Sequence, residues 1–128
     1  MPKKYGLSRN ERLKSIVRTE KLFTEGKSFT VFPFCVYYRL SGATGNCFLV
    51  SAGKRYFKHA VDRNRIKRLV REAYRKNKEI LFAATASKEV FLDLGFVYKN
   101  KEISRYAEIE TAVKEALKIL SAKIQDLK

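Results

Sequence analysis

The residue types that act as nucleophiles or metal ligands are scarce in this chain. Its cysteines are Cys35 and Cys47, and its one histidine is His59. A structural zinc site wants four Cys or His ligands in paired spacing, so zinc-finger chemistry is excluded. A Cys–His nucleophile pair has no activating context here. Both cysteines sit in runs that read as strands, where a free thiol behaves as a small buried hydrophobe. A stand-alone nuclease would need acidic metal ligands gathered on one face, and its candidates, Asp62 and Asp93, lie far apart in unrelated segments. With no Ser-His-Asp set either, the chain is poorly equipped for hydrolysis by itself, and no catalytic residue is assigned.

What the chain has in abundance is cation. Lys and Arg number 28 against 13 Asp and Glu, for a formal charge of +15. The excess lies in residues 1–78, with 20 bases and 5 acids; residues 79–128 hold 8 of each. The densest stretch runs from Lys54 to Lys78, where eleven bases face Asp62 and Glu72. A solvated helix face normally interleaves opposite charges to gain i,i+4 pairs, and this one does not. So much self-repulsion implies a polyanionic partner, with nucleic acid the first suspect. Arginine dominates (Arg63, Arg65, Arg68, Arg71, Arg75), and its planar fork suits bidentate phosphate contacts. Asn64, between two arginines, can hydrogen-bond a base edge or a sugar hydroxyl. Phe23, Phe34 and Tyr38 are candidate stacking platforms for a single strand, with core packing the competing role for each, Phe34 above all.

The elements that must position these residues follow from periodicity. Ser15 can cap a short helix through about Glu25, closed by Gly26 at a left-handed position. From Ser28 to Leu40 the pattern has period two, with Phe32, Phe34, Val36, Tyr38 and Leu40 on one face and Val31, Cys35 and Tyr37 on the other. Pro33 cannot donate to a ladder and splits this run into two strands. Residues 41–46 read as a turn, and Cys47 to Val50 as the returning strand of a hairpin. After a basic loop, Ala52 to His59, a helix runs from about Ala60 to Asn77 or on to Phe82. Ile66, Leu69, Val70, Ala73 and Tyr74 make its apolar seam, and Asn64, Lys67, Arg68, Arg71 and Arg75 fall in an arc of about 100° opposite. Val90 to Tyr98 is a further strand, and Ser104 caps a final amphipathic helix. The order implies a sheet with helices packed on it.

At 128 residues the chain has the length of one domain, 1–128, and its 45% apolar content can bury a core. No apolar run approaches the roughly 20 residues of a membrane span, and no signal-type stretch follows the N-terminus. A soluble, cytoplasmic protein is expected, with no membrane and no required protein partner. The basic helix lacks the bulky interfacial Trp of a membrane-surface helix.

The string from Ala60 to Arg75, AVDRNRIKRLVREAYR, closely resembles the signature helix of the bacterial ribonuclease P protein component. Arg12-Leu13, Leu22-Phe23, Gly26, the strand Phe48-Leu49-Val50-Ser51, Lys54-Arg55 and the strand Val90–Tyr98 follow in the family's order, so the resemblance covers a core of about residues 10–120. It implies an α+β, single-domain αβ sandwich, ordered α-β-β-β-α-β-α, with a mainly antiparallel four-stranded sheet and a left-handed βαβ crossover. It implies a protein subunit of ribonuclease P, which assists a catalytic RNA in removing the 5′ leader from precursor tRNA. In that setting Arg63, Asn64, Arg65, Lys67, Arg68, Arg71 and Arg75 bind the ribonuclease P RNA near bound metal, around Asn64. Phe23, Tyr38, Lys54 and Arg55 bind the leader, and the Mg²⁺ cofactor is held mainly by the RNA. Two positions depart from the family pattern: Thr19 replaces a large apolar residue, and the 52–59 loop is longer than the usual Lys-Lys-x-Gly connection. The alternative is a ribosomal or other structural RNA-binding protein without a processing role.

Overall fold

Pro33 ends one strand and begins another, as its missing N–H requires. The computed structural model describes residues 16–41, 46–53 and 55–126. In chain order the elements are α1 (Ile16–Glu25), β1 (Lys27–Val31), β2 (Phe34–Ser41), β3 (Cys47–Ala52), α2 (Ala60–Asn77), α3 (Glu79–Lys88), β4 (Phe91–Tyr98) and α4 (Tyr106–Gln125). Phe32 and Pro33 form the β1–β2 turn, joined by a cis peptide bond. The turn resets the alternation, because Val31 pairs with Phe34 and shares its face. Val31 therefore packs against the core, opposite to the side expected from an unbroken period, while Phe32 is left 71% exposed.

The strands make one sheet in the order β1-β2-β4-β3. β2 pairs antiparallel with β1 and β4, and β3 pairs parallel with β4. The hairpin expected between β2 and β3 does not form, because β4 lies between them. The reason is in β4 itself: Leu92, Asp93, Leu94, Gly95 and Phe96 are all buried, a strand covered on both faces, which suits the sheet's interior. α2 and α3 supply the long crossover that a parallel pair demands.

One sheet face carries the main core. Phe34, Val36, Phe48, Val50, Leu94 and Phe96 meet the helices α2, α3 and α4. Phe48 stacks on Tyr74 of α2 with ring centroids 4.1 Å apart and planes 5° from parallel. Phe34 is fully buried against Phe96 and Tyr98, so it is a core residue and no stacking platform.

α1 and α2 end at Glu25 and Asn77, where the spacing puts them, but three details at helix ends differ from expectation. The helix from Ala60 does not run smoothly past Asn77; a turn at Lys78 separates it from α3, whose Glu79-Ile-Leu-Phe-Ala-Ala run is apolar on more than one side and shows no clean helical stripe. Ser104 does not cap α4. Arg105 holds that position without a side-chain cap, and Ser104 Oγ instead lies 2.9 Å from Tyr98 Oη. Gly26 closes α1, but not in a left-handed conformation, since no described glycine has positive φ. A Cβ at Gly26 would lie 2.3 Å from the Leu22 carbonyl oxygen and 2.9 Å from that of Tyr38. Close backbone approach is what excludes a side chain there.

Candidate nucleic-acid interface

The seam of α2 is buried as its spacing predicts: Ile66, Val70, Ala73 and Tyr74 face the sheet. Its cationic residues consequently point away from the core, but they are not equivalent. Asn64, Arg65 and Arg68 are exposed, and Lys67 and Arg71 are half-buried. Arg63 is engaged within the protein. Its Nη1 donates to the carbonyl oxygens of Phe57 at 2.7 Å and Lys58 at 3.0 Å, pinning the basic loop to the start of α2. Arg75 pairs with Glu72, donating from Nε at 3.2 Å and from Nη2, and Lys76 adds a contact at 3.4 Å. Those cations, Arg75 foremost, hold the Glu72 carboxyl below the usual carboxylate range. Among the described residues, the unobstructed part of the ridge is thus the N-terminal half of α2, around Asn64, Arg65 and Arg68.

The loop before α2 is anchored at Phe57, which is buried and packs its ring 6.1 Å from Tyr98. Arg55 is exposed, with its guanidinium 5.8 Å from the Tyr56 ring. His59 is exposed at the α2 N-cap, where its carbonyl receives the Asp62 and Arg63 N–H groups. Lys54 lies outside the described residues, as do Arg12, Leu13 and Ser15.

Among the described residues, the second sheet face is covered by α1 alone. Leu22 is fully buried over Gly95, whose absent side chain lets the Leu22 methyl approach to 3.1 Å and the Phe23 ring to 3.4 Å of its Cβ position. Phe23 remains 37% exposed and meets Tyr37 edge-on, with ring centroids 4.9 Å apart. Around this pair Cys35, Leu49, Ser51 and Val97 are half-buried, so among the described residues α1 covers this face only in part and leaves a shallow cleft edged by the two rings. A hydrogen bond with Cys35 and partial burial raise the Tyr37 phenol above its ordinary value, and it is neutral at physiological pH. Phe23 and Tyr38 do not share this cleft. Tyr38 pairs with Leu94, on the face opposite to Tyr37 and Gly95, and packs beside Phe29 at 5.9 Å. Tyr37 is the residue that pairing Phe23 with Tyr38 overlooks. Strict alternation along β2 already placed the two tyrosines on opposite faces; which face α1 covers is a tertiary fact.

The end of the cleft is fixed by charge. Asp93 is fully buried and accepts from Arg18 of α1, through Nη2 and through Nε at 3.2 Å, while Arg39 Nη1 stands 3.9 Å away. The carboxylate lifts the Arg18 guanidinium further above its already high range. Asp93 is therefore a structural counter-ion between two half-exposed arginines and unsuited to a metal site. Among the described residues no three His, Cys, Asp or Glu side chains gather as metal ligands, and Asn64 offers one amide oxygen on an open helix face. The described protein residues do not make a metal cage.

The sequence matches the Ribonuclease P family over residues 7–121. The chain belongs to that family. Among its relatives, the ribonuclease P protein component of Porphyromonas gingivalis is 39% identical over 119 residues, covering 91% of this chain and 87% of the relative. That of Borrelia hermsii is 34% identical over 107 residues, with 83% and 88% covered. The fold agrees with the ribonuclease P proteins of Staphylococcus aureus, at a TM-score of 0.71 and 22% identity over 89% of this chain and 96% of that one, and of Thermotoga maritima, at 0.70 and 24% over 85% and 96%. The mixed α+β architecture with a four-stranded sheet and four helices is thus the ribonuclease P protein fold. No described helix is long and apolar enough to cross a membrane.

Proposed function

We propose that this ribonuclease P protein braces the catalytic RNA through α2 and grips the 5′ leader of precursor tRNA in the α1 cleft, while the RNA performs the cut. The observation that carries this is the division of the surface: an open arginine ridge on one element and an aromatic cleft on another, with the carboxylate at the cleft's end locked in an internal ion pair. A ridge of exposed Arg65 and Arg68 beside Asn64 suits crowded phosphates. Neutralising them lowers the Mg²⁺ needed for the RNA to fold and dock its substrate. A cleft with two rings and little charge suits stacked bases of a single strand. Binding the leader favours precursor over product, which relieves product inhibition. Mg²⁺ is held by the RNA, around the Asn64 end of the ridge, and the complex works in the cytoplasm.

Reconstitution with ribonuclease P RNA at low Mg²⁺ tests this. The protein restores 5′ cleavage, is inactive without the RNA, and on Tyr37→Ala loses affinity for precursor by roughly tenfold with RNA-subunit and mature-tRNA binding unchanged. No stimulation at any Mg²⁺, or cleavage by protein alone, overturns it. A structural RNA-binding protein would show no preference for a leader.

A further inference from the structure

Tyr38, turned away from the α1 cleft, opens onto a hollow of about 490 Å³ at the sheet edge, where β2 continues beyond the start of β1. Leu40, Leu92 and Ile124 give it an apolar floor, and Leu40 is 50% exposed there. Lys27, Arg39 and Lys123 stand around it. The Lys123 ammonium lies 6.0 Å from the ring centroids of both Tyr38 and Phe29, and its side chain is exposed. α1 and α4 both end at this hollow, with Glu25 and Asp126 on its wall. Terminal helix carbonyls and two carboxylates are hydrogen-bond acceptors. The hollow therefore combines an aromatic and aliphatic floor, acceptors suited to the amino group of a base, and cations suited to phosphate. An apolar site with a few convergent polar groups is the usual form of a small-ligand pocket.

The hollow lies mainly on the sheet face opposite to the cleft, and residues at its border link the two. Arg39 reaches toward Asp93 on the α1 face and also borders the hollow, and Gly26 at the end of α1 borders it too. A strand lying over Phe23 and Tyr37 has a cationic path around the start of β1. We propose that single-stranded RNA leaving the α1 cleft turns past Arg39 and seats one further nucleotide beside Tyr38, its phosphate against Lys123 and Lys27. This rests on the cleft holding the leader.

The test uses reconstituted holoenzyme and precursor tRNAs whose leaders are lengthened one nucleotide at a time. Native protein gains affinity in two stages, the second when the leader reaches the hollow. Lys123→Glu and Tyr38→Leu remove the second stage, about a five- to tenfold loss, and leave short leaders and the RNA subunit bound as before. Phe23→Ala weakens binding at every length. If Phe23→Ala weakens binding while Lys123→Glu and Tyr38→Leu match native protein throughout, the cleft stands and the hollow is rejected. If Lys123→Glu weakens RNA-subunit binding instead, the hollow serves another contact and the proposal is wrong. If Phe23→Ala has no effect at any length, the cleft assignment fails and the hollow with it.

Discussion

Asp93 shows how far a residue type can mislead when its surroundings are unknown. As an acid in a protein associated with RNA cleavage it invites a metal-ligand role, yet it has no exposed surface and holds α1 to β4 through Arg18. Removing one partner of a buried pair commonly costs about 3–5 kcal/mol; with Arg18 one-third exposed, Asp93→Asn is expected to cost about 2 kcal/mol, read from urea unfolding. The same variant, assayed where it is folded and saturated with precursor, should support cleavage by the reconstituted holoenzyme at the native rate. Glu72 is the opposite case, a half-exposed acid on α2. Its lowered pKa means that its small contribution to stability is present above the ordinary carboxylate value and is lost as pH falls through the lowered one. Such a surface pair contributes about 0.5 kcal/mol. Its larger effect is on the ligand: Glu72→Gln releases Arg75 and Lys76 and should tighten RNA-subunit binding roughly twofold at moderate salt, with the gain fading as salt rises. Neither partnership is visible in composition, although Glu72 and Arg75 stand at a helical i,i+3 spacing that suggests theirs.

At the scale of elements, local chemistry located most of the pieces and misjudged how some of them meet. Pro33 marked the β1–β2 break, and the alternation of apolar residues in Val36 to Leu40 and Leu92 to Phe96 marked two strands. The seam of α2 was legible because one side of it is buried and the other charged. α3 was not, because its buried residues Leu81, Ala84 and Thr85 face one way while its exposed side carries Ala83 and Ala86, so apolar type does not mark the buried face. Gly26 was recognised as the end of α1 for a reason that the backbone does not support; what it provides is room between α1 and β2. Gly26→Ala drives a methyl into two carbonyl oxygens that belong to different elements. A loss of about 2 kcal/mol is expected, within the usual range for overpacking, with a matching fall in Tm.

For the molecule as a whole, the charge of +15 is legible from the sequence alone, and so is its concentration before residue 79. The fold decides which cations are available, and Arg63 and Arg75 are partly spent on internal partners. Arg68 is exposed on the open part of the ridge. Arg68→Ala should weaken RNA-subunit binding and reduce the slope of log affinity against log salt by about one, while Arg63→Ala should show up first as a loss of thermal stability. The site was less legible than the ridge, because a cleft made by laying α1 across β2 and β4 depends on contacts between residues 16–25 and residues 91–98.

The place of β4 in the sheet has a bearing on how the protein is made. Its two neighbours, β2 and β3, are synthesised some forty to fifty residues earlier and have no ladder with each other. Until Phe91–Tyr98 leaves the ribosome, each therefore presents an unpaired edge, a state prone to association with other chains. The arginine-rich helix emerges in that same interval. A nascent chain stopped before residue 91 can attract RNA without a completed sheet to orient it, so maturation of the interface waits until β4 has been made.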